Sequence, residues 1–335
     1  MIRLLDQWLP QRGVDANAAS RPLDLPANLP QRPAVEPRSR RVLRLSGDDV
    51  LAETIHGFHL VVPAWNIDVG IGIIRDGVIE PWTNAVFTSL LGEGDHVVNV
   101  GANFGYYSVL AAQTVGRSGR VYAVEANPVV FTYLLKSVYW SGYPDVIRAY
   151  NCAAVNPEAH GATLPFAFDP QFIGGGNLFK GAAQPRPLAE CLWSGENARH
   201  LLDAQRCYRP AGLMAAIDTE GRTLDSLVDT PVDAMLIDAE GSESLVIAGA
   251  RELIRRSPSL AMVMEWAPHS YHVDPSRRPH IDAMWDFLLD EQGFQAARIC
   301  PEGYRGVGHM PRLDPLTRET LFDVPHSDLL LRRRP

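Results

Sequence analysis

The sequence predicts a doubly wound α/β protein, in which helices cover both faces of a mostly parallel sheet. Three observations lead to this class. From His96 onward, short apolar runs alternate with segments of helical periodicity, as expected for parallel strands buried on both faces. A loop containing Gly101 and Gly105 joins the first of these strands to its helix. The next predicted strand ends in an acidic residue, Glu125.

Composition restricts the class of protein further. The chain has 335 residues, of which 46% are hydrophobic, enough for one large domain with additions or for two ordinary domains. Its formal net charge of −8 disfavours a nucleic-acid partner. No apolar run approaches the roughly 20 residues of a membrane helix, and the first ten residues do not resemble a signal peptide. We therefore expect a cytoplasmic protein without a membrane partner. The 4 cysteines form no CxxC pair, so neither a zinc site nor a disulfide framework is predicted.

The N-terminal part divides into two predicted segments. Residues 1–41 are rich in Pro, Arg and small polar residues without periodicity, which predicts an extended or partly disordered arm. Residues 42–91 predict a small β-rich subdomain, with strands in VLRL, FHLVV and IGIIRDGVI, where RDG is typical of a hairpin turn. A short helix is predicted from Asn84 to Leu91.

Residues 92–335 predict the main domain. The expected parallel strands, in chain order, are HVVNV, RVYAVE, IRAYNCAAV, VDAMLID and LAMVMEW. Helices are predicted in YYSVLAAQTV, after an Asn127 N-cap, from Ser242 to Arg256, and before Gly293. The segments FQAARI and DLLLRR predict an antiparallel pair at the sheet edge. Residues 156–222 show no regular pattern, and a span of this length favours a lid over surface decoration.

The loop VVNVGANFGYYS carries the strongest chemical signal. Its glycines let the backbone turn sharply and approach a ligand, and the helix start offers free N–H groups. A tight turn without a ligand is the alternative. Glu125 stands where doubly wound folds hold the two hydroxyls of a ribose. Because the spacing is G-x-x-x-G and lacks the further glycine that seats a pyrophosphate, S-adenosylmethionine is favoured over NAD or FAD.

The runs GDHVVNVGANFGYYSVLAA, RVYAVEANP, TLDSLVDTPVDAMLIDAEGSESLVIAGARELI and LAMVMEW resemble the FkbM-type methyltransferase family in order and spacing. The resemblance extends from about Ile79 to Trp266, and more weakly to Ile299. It implies a Rossmann-like methyltransferase sheet with an antiparallel edge strand and S-adenosylmethionine as cofactor. It also implies an O-methyltransferase acting on a hydroxyl of a sugar, polyketide or related metabolite.

The resemblance also implies a set of residues around the methyl donor. The Gly101 loop would wrap the methionine part, Glu125 would bind the ribose, and the third strand would lie near the adenine. The predicted cofactor-binding residues are Asn99, Gly101, Ala102, Asn103, Gly105, Glu125, Ala126, Asn151, Cys152 and Asp238. Two positions depart from the family pattern: Asn99 stands where an acid is usual, and Leu236 where a lysine is frequent.

A second group of polar residues predicts the catalytic centre. Asp238 and Glu265 end the fourth and fifth strands, where open sheets bind ligands, and His269 and His272 follow. We expect His269 to act as general base, with Asp238 as its competitor and Glu265 beside them. Both histidines could equally be surface residues. Asp238, Glu240 and Glu265 could instead hold a divalent cation such as Mg²⁺, which the sequence leaves unresolved.

Other readings stay open at this stage. An NAD-dependent sugar-modifying oxidoreductase is one, although no Tyr-x-x-x-Lys pair supports it. A non-catalytic nucleoside-binding module is the other. Trp266, beside Glu265, is a candidate for the wall of an acceptor pocket. The expected partner is a small hydroxylated acceptor, and the sequence leaves a homo-oligomer open.

Overall fold

The computed structural model describes residues 41–169, 172–178, 186–187, 215–268 and 275–333. Apart from Arg41, the predicted N-terminal arm lies outside these residues. The strands within them are β1 (Val42–Arg44), β2 (Asp49–Glu53), β3 (His59–Pro63), β4 (His96–Val100), β5 (Arg120–Glu125), β6 (Ile147–Asn151), β7 (Ala153–Ala154), β8 (Thr163–Asp169), β9 (Phe172–Asn177), β10 (Arg186–Pro187), β11 (Ala215–Arg222), β12 (Ala234–Ile237), β13 (Ala261–Trp266), β14 (Phe294–Cys300), β15 (Arg312–Leu316) and β16 (Ser327–Arg333).

Helices lie between most strands of the main domain. They are α1 (Val69–Asp76), α2 (Pro81–Ser89), α3 (Tyr106–Val115), α4 (Pro128–Ser141), α5 (Leu224–Leu227), α6 (Glu243–Ala248), α7 (Arg251–Arg255) and α8 (Arg278–Trp285). None of the helices in the described part of the chain is both long and apolar enough to cross a membrane.

The largest sheet confirms the predicted fold class. Its strand order is β15-β14-β16-β13-β12-β4-β5-β6. The run from β13 to β6 is parallel, and β16, β14 and β15 add antiparallel strands at one edge. FQAARI and DLLLRR therefore pair as predicted, and β15 extends the sheet beyond them.

Alternation along the central strands explains why the sheet is covered on both sides. Val97 on β4 packs into one core with Val109 of α3 and Leu134 of α4. Its neighbour Val98 packs into a second core with Leu253 of α7. Because successive side chains of a strand point to opposite faces, both faces must carry helices.

One predicted strand of the N-terminal subdomain is wrong. The segment IGIIRDGVI forms helix α1, which begins where the Asp68 carboxylate accepts a hydrogen bond from the Val69 N–H and ends before Gly77. Ile73 is buried whereas Ile71 is 43% exposed, as expected for one face of a helix. The subdomain is still a three-stranded antiparallel sheet, because the unpredicted strand β2 lies between β1 and β3.

The short helix predicted from Asn84 to Leu91 is present as α2, which begins earlier, at Pro81. The segment from Ser242 to Arg256 is not one helix but two, α6 and α7, separated around Gly249. A Cβ at Gly249 would collide with the carbonyl oxygen of Val155, so this position needs glycine.

The segment 156–222 was expected to be irregular, and its described part is not. Strands β8, β9 and β11 form a second sheet with β10 and β7. The predicted strand IRAYNCAAV divides after Asn151, because β7 leaves the large sheet and pairs in parallel with β11. The second sheet thus begins beside the carboxyl end of β6.

Candidate active site

An open cleft lies at the carboxyl ends of β4, β5 and β12. It contains about 640 Å³ of space, a figure that includes its open mouth. Its lining residues are Val100, Gly101, Asn103, Val124, Glu125, Ala126, Val130, Cys152, Ala153, Ala154, Phe166, Ile173, Gly174, Gly176, Leu178, Asp238, Ala239, Glu240 and Ser242. This is the crevice in which open α/β sheets bind ligands.

The glycine loop forms one wall of the cleft and contacts the end of β12. Gly101 has a φ of 75°, in the left-handed region, and a Cβ there would collide with the carbonyl oxygen of Asp238. The backbones of the two strand ends therefore meet without side chains between them. This close approach is the physical reason for glycine at this position.

Glu125 is the best-defined polar group of the cleft. Its side chain is buried, with the residue only 7% exposed. The Asn103 N–H donates to Oε2 at 2.9 Å, and the Asn127 N–H donates to Oε1 at 2.7 Å. Burial raises the pKa of Glu125 to about 7, although these hydrogen bonds act in the opposite direction. The backbone N–H of Ala126 also bonds to this carboxylate, so about one of its roughly four acceptor positions remains for a ligand.

The structure brings most of the predicted donor-site residues together. Those that line the cleft are Gly101, Asn103, Glu125, Ala126, Cys152 and Asp238. Asn99 does not line it, because its side chain is buried and its Nδ2 donates to the Ser108 Oγ at 2.8 Å. Ala102 and Gly105 also lie outside the lining. Asn151 also lies outside the lining. It contacts the neighbouring Glu125, because its Nδ2 donates to the backbone oxygen of Glu125 at 2.9 Å.

The second sheet covers the cleft from the opposite side. Phe166 on β8 and Ile173 on β9 supply apolar surface to the lining. The Gly174 N–H donates to Oδ2 of Asp68 at 2.9 Å, which fixes β9 against the start of α1. The described part of the predicted lid is therefore a wall of this cleft.

Three carboxylates gather at the ends of β12 and β13. One oxygen from each of Asp238, Glu240 and Glu265 lies within 4.8 Å of the other two. Oδ1 of Asp238 and Oε2 of Glu265 are buried and receive no hydrogen bond from an N–H or hydroxyl group within the described ranges, and the two carboxyls lie at hydrogen-bonding range of each other. Burial raises the pKa of both of these carboxyls well above the usual range. Nearby negative charge raises the pKa values further, from Glu265 for Asp238 and from Glu243 for Glu265.

Sequence reasoning missed three polar residues of this region. Nε2 of His326 lies 2.6 Å from Oε1 of Glu265. Asp328 pairs with Glu265 across β16 and β13, and Thr83 donates a hydrogen bond to it. Burial, and then the charge of Asp328, raises the pKa of Glu80 to about 7. Only the antiparallel register of β16, which the sequence does not reveal, places His326 and Asp328 beside Glu265.

His269, His272, Trp266 and Glu243 complete the description of this region. His269 and His272 lie outside the described residues. Trp266 is not an acceptor-pocket wall, because it is fully buried and its Nε1–H donates to the Leu321 carbonyl oxygen at 2.6 Å. Glu243 accepts hydrogen bonds from backbone N–H groups of the loop before α6, which holds this loop in shape.

The cleft fits S-adenosylmethionine. A buried carboxylate with a spare acceptor position lies at the end of β5, and the adjoining loop approaches closely without a phosphate-binding glycine pattern. Together with the strand order, these features define the class of Rossmann-like methyltransferases. Residues 99–296 match the family described as the methyltransferase FkbM domain. This is more than half of the chain, which therefore belongs to the FkbM methyltransferase family.

Individual relatives are more distant. A protein-L-isoaspartate O-methyltransferase of Aeropyrum pernix is 43% identical over 55 residues, which is 16% of this chain and 21% of that protein. The methyltransferase FkbM of Methylobacillus flagellatus KT has 14% identity and a TM-score of 0.38, covering 71% of this chain and 43% of that one. An O-methyltransferase of Bacillus cereus in complex with SAH has 11% identity and a TM-score of 0.38. The match covers 81% of this chain and 84% of that one.

Proposed function

We propose that this protein transfers a methyl group from S-adenosylmethionine to a hydroxyl oxygen of a small molecule, a sugar, polyketide or related metabolite. The observation that carries the proposal is the shared position of Asp238, which lines the donor cleft and also belongs to the carboxylate group at the end of β13. A hydroxyl placed there lies beside both the donor cleft and hydrogen-bond acceptors. When bound, S-adenosylmethionine supplies an electrophilic methyl group on a sulfonium.

The donor side of the cleft is built to bind and orient. Glu125 accepts a hydrogen bond from a ribose hydroxyl, for which its carboxylate is already aligned by the Asn103 and Asn127 N–H groups. Gly101 allows the backbone to come close to the rest of the donor. Phe166 and Ile173 cover the cleft and reduce the access of water.

The acceptor side holds a hydroxyl by its hydrogen. Asp238 and Glu265 present carboxylate oxygens that accept this hydrogen bond and so direct the oxygen lone pair away from them. Much of the acceleration comes from such alignment of the attacking oxygen with the methyl carbon. We propose His269, three residues after β13 in the sequence, as the general base: at transfer the hydroxyl turns its hydrogen from the carboxylates to this imidazole. Asp238, which already accepts the hydrogen bond, is the competing base.

Turnover with isotope-labelled donor tests the proposal. The purified protein is incubated with S-adenosylmethionine carrying a ¹³C-methyl group and with panels of hydroxylated sugars and macrolides. We expect a methoxy carbon signal in at least one product. The signal should disappear for Glu125→Ala and persist for Glu158→Ala, a matched change of an exposed carboxylate outside the cleft. A labelled N-methyl or C-methyl product would refute O-transfer.

A further inference from the structure

We propose that Asp238, Glu240 and Glu265 bind one hard divalent cation, of the Mg²⁺ or Ca²⁺ type, at the carboxyl ends of β12 and β13. Their three carboxylate oxygens lie within 4.8 Å of one another. Oxygens on opposite sides of a Ca²⁺ ion are about 5 Å apart, since each lies roughly 2.3–2.6 Å from the metal. One ion can therefore contact all three side chains with small adjustments.

Two buried carboxylate oxygens that receive no N–H or hydroxyl hydrogen bond point to a ligand more directly than the clustering of charge does. Glu265 is only 9% exposed, yet its buried Oε2 receives no hydrogen bond from an N–H or hydroxyl group in the described part of the chain, and the neighbouring Asp238 is a second carboxyl at hydrogen-bonding range. Oδ1 of Asp238 is also buried and also receives no N–H or hydroxyl hydrogen bond. A buried carboxylate oxygen without a partner is costly, typically about 1–3 kcal/mol or more. A cation between Asp238 and Glu265 would satisfy both atoms.

The ligand atoms select the kind of ion. All three are carboxylate oxygens, which suit Mg²⁺, Ca²⁺ and Mn²⁺ and lack the sulfur or imidazole that favours Zn²⁺. His326 does not change this, because its Nε2 contacts the other oxygen of Glu265, Oε1. That contact orients the carboxylate so that Oε2 stays available, as outer partners of metal ligands commonly do.

The surrounding charge adds a driving force. Glu80 and Asp328 lie close enough to the cluster to interact electrostatically with Asp238. Tyr107 donates to Glu80 at 3.0 Å, and Thr83 donates to Asp328, so both carboxylates are fixed in this region. A doubly charged cation offsets the mutual repulsion of these groups.

The site lies where it can serve the transfer reaction. Asp238 and Glu240 line the donor cleft, so an ion held by them borders the space in which an acceptor must bind. A cation there would coordinate the acceptor oxygen and lower the pKa of its hydroxyl. This use of the ion rests on the proposed function, whereas the binding of the ion does not.

Titration with Mn²⁺ alone, followed by electron paramagnetic resonance on the full-length protein without S-adenosylmethionine, tests the site. We expect one equivalent of bound Mn²⁺, displaced by Ca²⁺ or Mg²⁺. Glu265→Gln should weaken Mn²⁺ binding by about tenfold or more, because affinity follows the number of charged ligands. Glu158→Gln, which changes an exposed carboxylate elsewhere, should bind Mn²⁺ as the wild type does.

Calorimetric titration with S-adenosylmethionine separates this proposal from the previous one. Glu265 does not line the donor cleft, so Glu265→Gln should bind the donor normally while losing Mn²⁺. If that variant does not fold, Glu240→Gln, which alters a less buried ligand, is expected to show the same loss. Absence of stoichiometric Mn²⁺ binding to the wild type would overturn the metal site. So would unchanged Mn²⁺ binding in both variants. Neither result would bear on donor binding or on O-transfer.

Discussion

Replacing Glu125 by glutamine should remove a pH dependence from the stability of the protein without its methyl donor. The pKa of this carboxyl is about 7 in the folded protein and about 4.5 when it is solvated in the unfolded chain. At a pH between these two pKa values, Glu125 is protonated in the folded state and has released its proton in the unfolded state. Raising the pH through this window therefore lowers the free energy of unfolding of the wild type.

The expected size of this effect follows from the pKa. Each unit of pKa corresponds to about 1.4 kcal/mol, so the full contribution of Glu125 is about 3 kcal/mol. Roughly 2.5 kcal/mol of it falls between pH 5 and pH 8. Glutamine keeps only one carbonyl acceptor and so loses at least one of the backbone hydrogen bonds that the carboxylate accepts, for example from Asn103 or Asn127. That loss costs about 1 kcal/mol at every pH and does not change the slope.

Urea denaturation at pH 5 and pH 8 measures the effect. The difference in unfolding free energy between wild type and Glu125→Gln should shift by about 2–3 kcal/mol in favour of the variant as the pH rises. Glu158→Gln, which changes an exposed carboxylate outside the cleft, is the matched control. Parallel pH profiles for wild type and Glu125→Gln would refute the reasoning.

Donor binding by the same proteins should show the opposite trend. The wild type must ionise Glu125 to accept a ribose hydroxyl, so its Kd for S-adenosylmethionine should rise about tenfold for each pH unit below 7. Glu125→Gln should bind weakly at both pH values in a calorimetric titration. A pH-independent Kd in the wild type would show that Glu125 is not the titrating contact.

Three further predictions concern packing. Gly101→Ala forces a Cβ into the carbonyl oxygen of Asp238 at a φ of 75°, so thermal unfolding should show a loss of about 2 kcal/mol or more, and a variant of normal stability would contradict this. Ser137→Ala removes a buried hydroxyl that accepts a backbone N–H of β3 at 3.0 Å, which should cost about 1–3 kcal/mol in urea, while an unaltered midpoint would exclude that contact. Trp266→Phe removes the hydrogen bond to Leu321 and should lower the free energy of unfolding by a similar amount while methyl transfer to the acceptor persists. Loss of methyl transfer without loss of stability would show that Trp266 lines the acceptor pocket.

The main sheet could be predicted from the sequence because its signals are local. β4, β5, β12 and β13 are short apolar runs followed by helices, and Asn127 with Pro128 marks the start of α4 correctly. Parallel strands of this type have few topological alternatives. The family resemblance is confirmed over residues 99–296.

The errors arose where tertiary contacts decide the structure. Three isoleucines in α1 have high strand propensity, yet the Asp68 cap and the burial of Ile73 favour a helix. In the insertion, β9 is rich in glycine and β8 contains a proline, which weakens their local strand pattern, and β8 pairs with the distant strand β11. Periodicity alone cannot reveal such pairings.

The donor site was easier to predict than the acceptor site for the same reason. Gly101 and Glu125 belong to consecutive strand ends, so chain order alone places them together. His326 and Asp328 reach Glu265 only through the antiparallel insertion of β16 beside β13. Glu80 comes from the segment before the large sheet and depends on how α2 packs. These residues are separated too far along the chain for a local motif to connect them.

The position of β16 also sets an order of events during synthesis. This strand lies between β13 and β14, although it follows both in the chain. Until residues 327–333 have left the ribosome, β14 and β15 have no neighbour through which to join the parallel strands, and Glu265 lacks its partner strand. Pairing across such a sequence separation is slow and leaves strand edges exposed meanwhile. The nascent chain should therefore gain protection against proteases late and in one step, when the acceptor side of the cleft is completed.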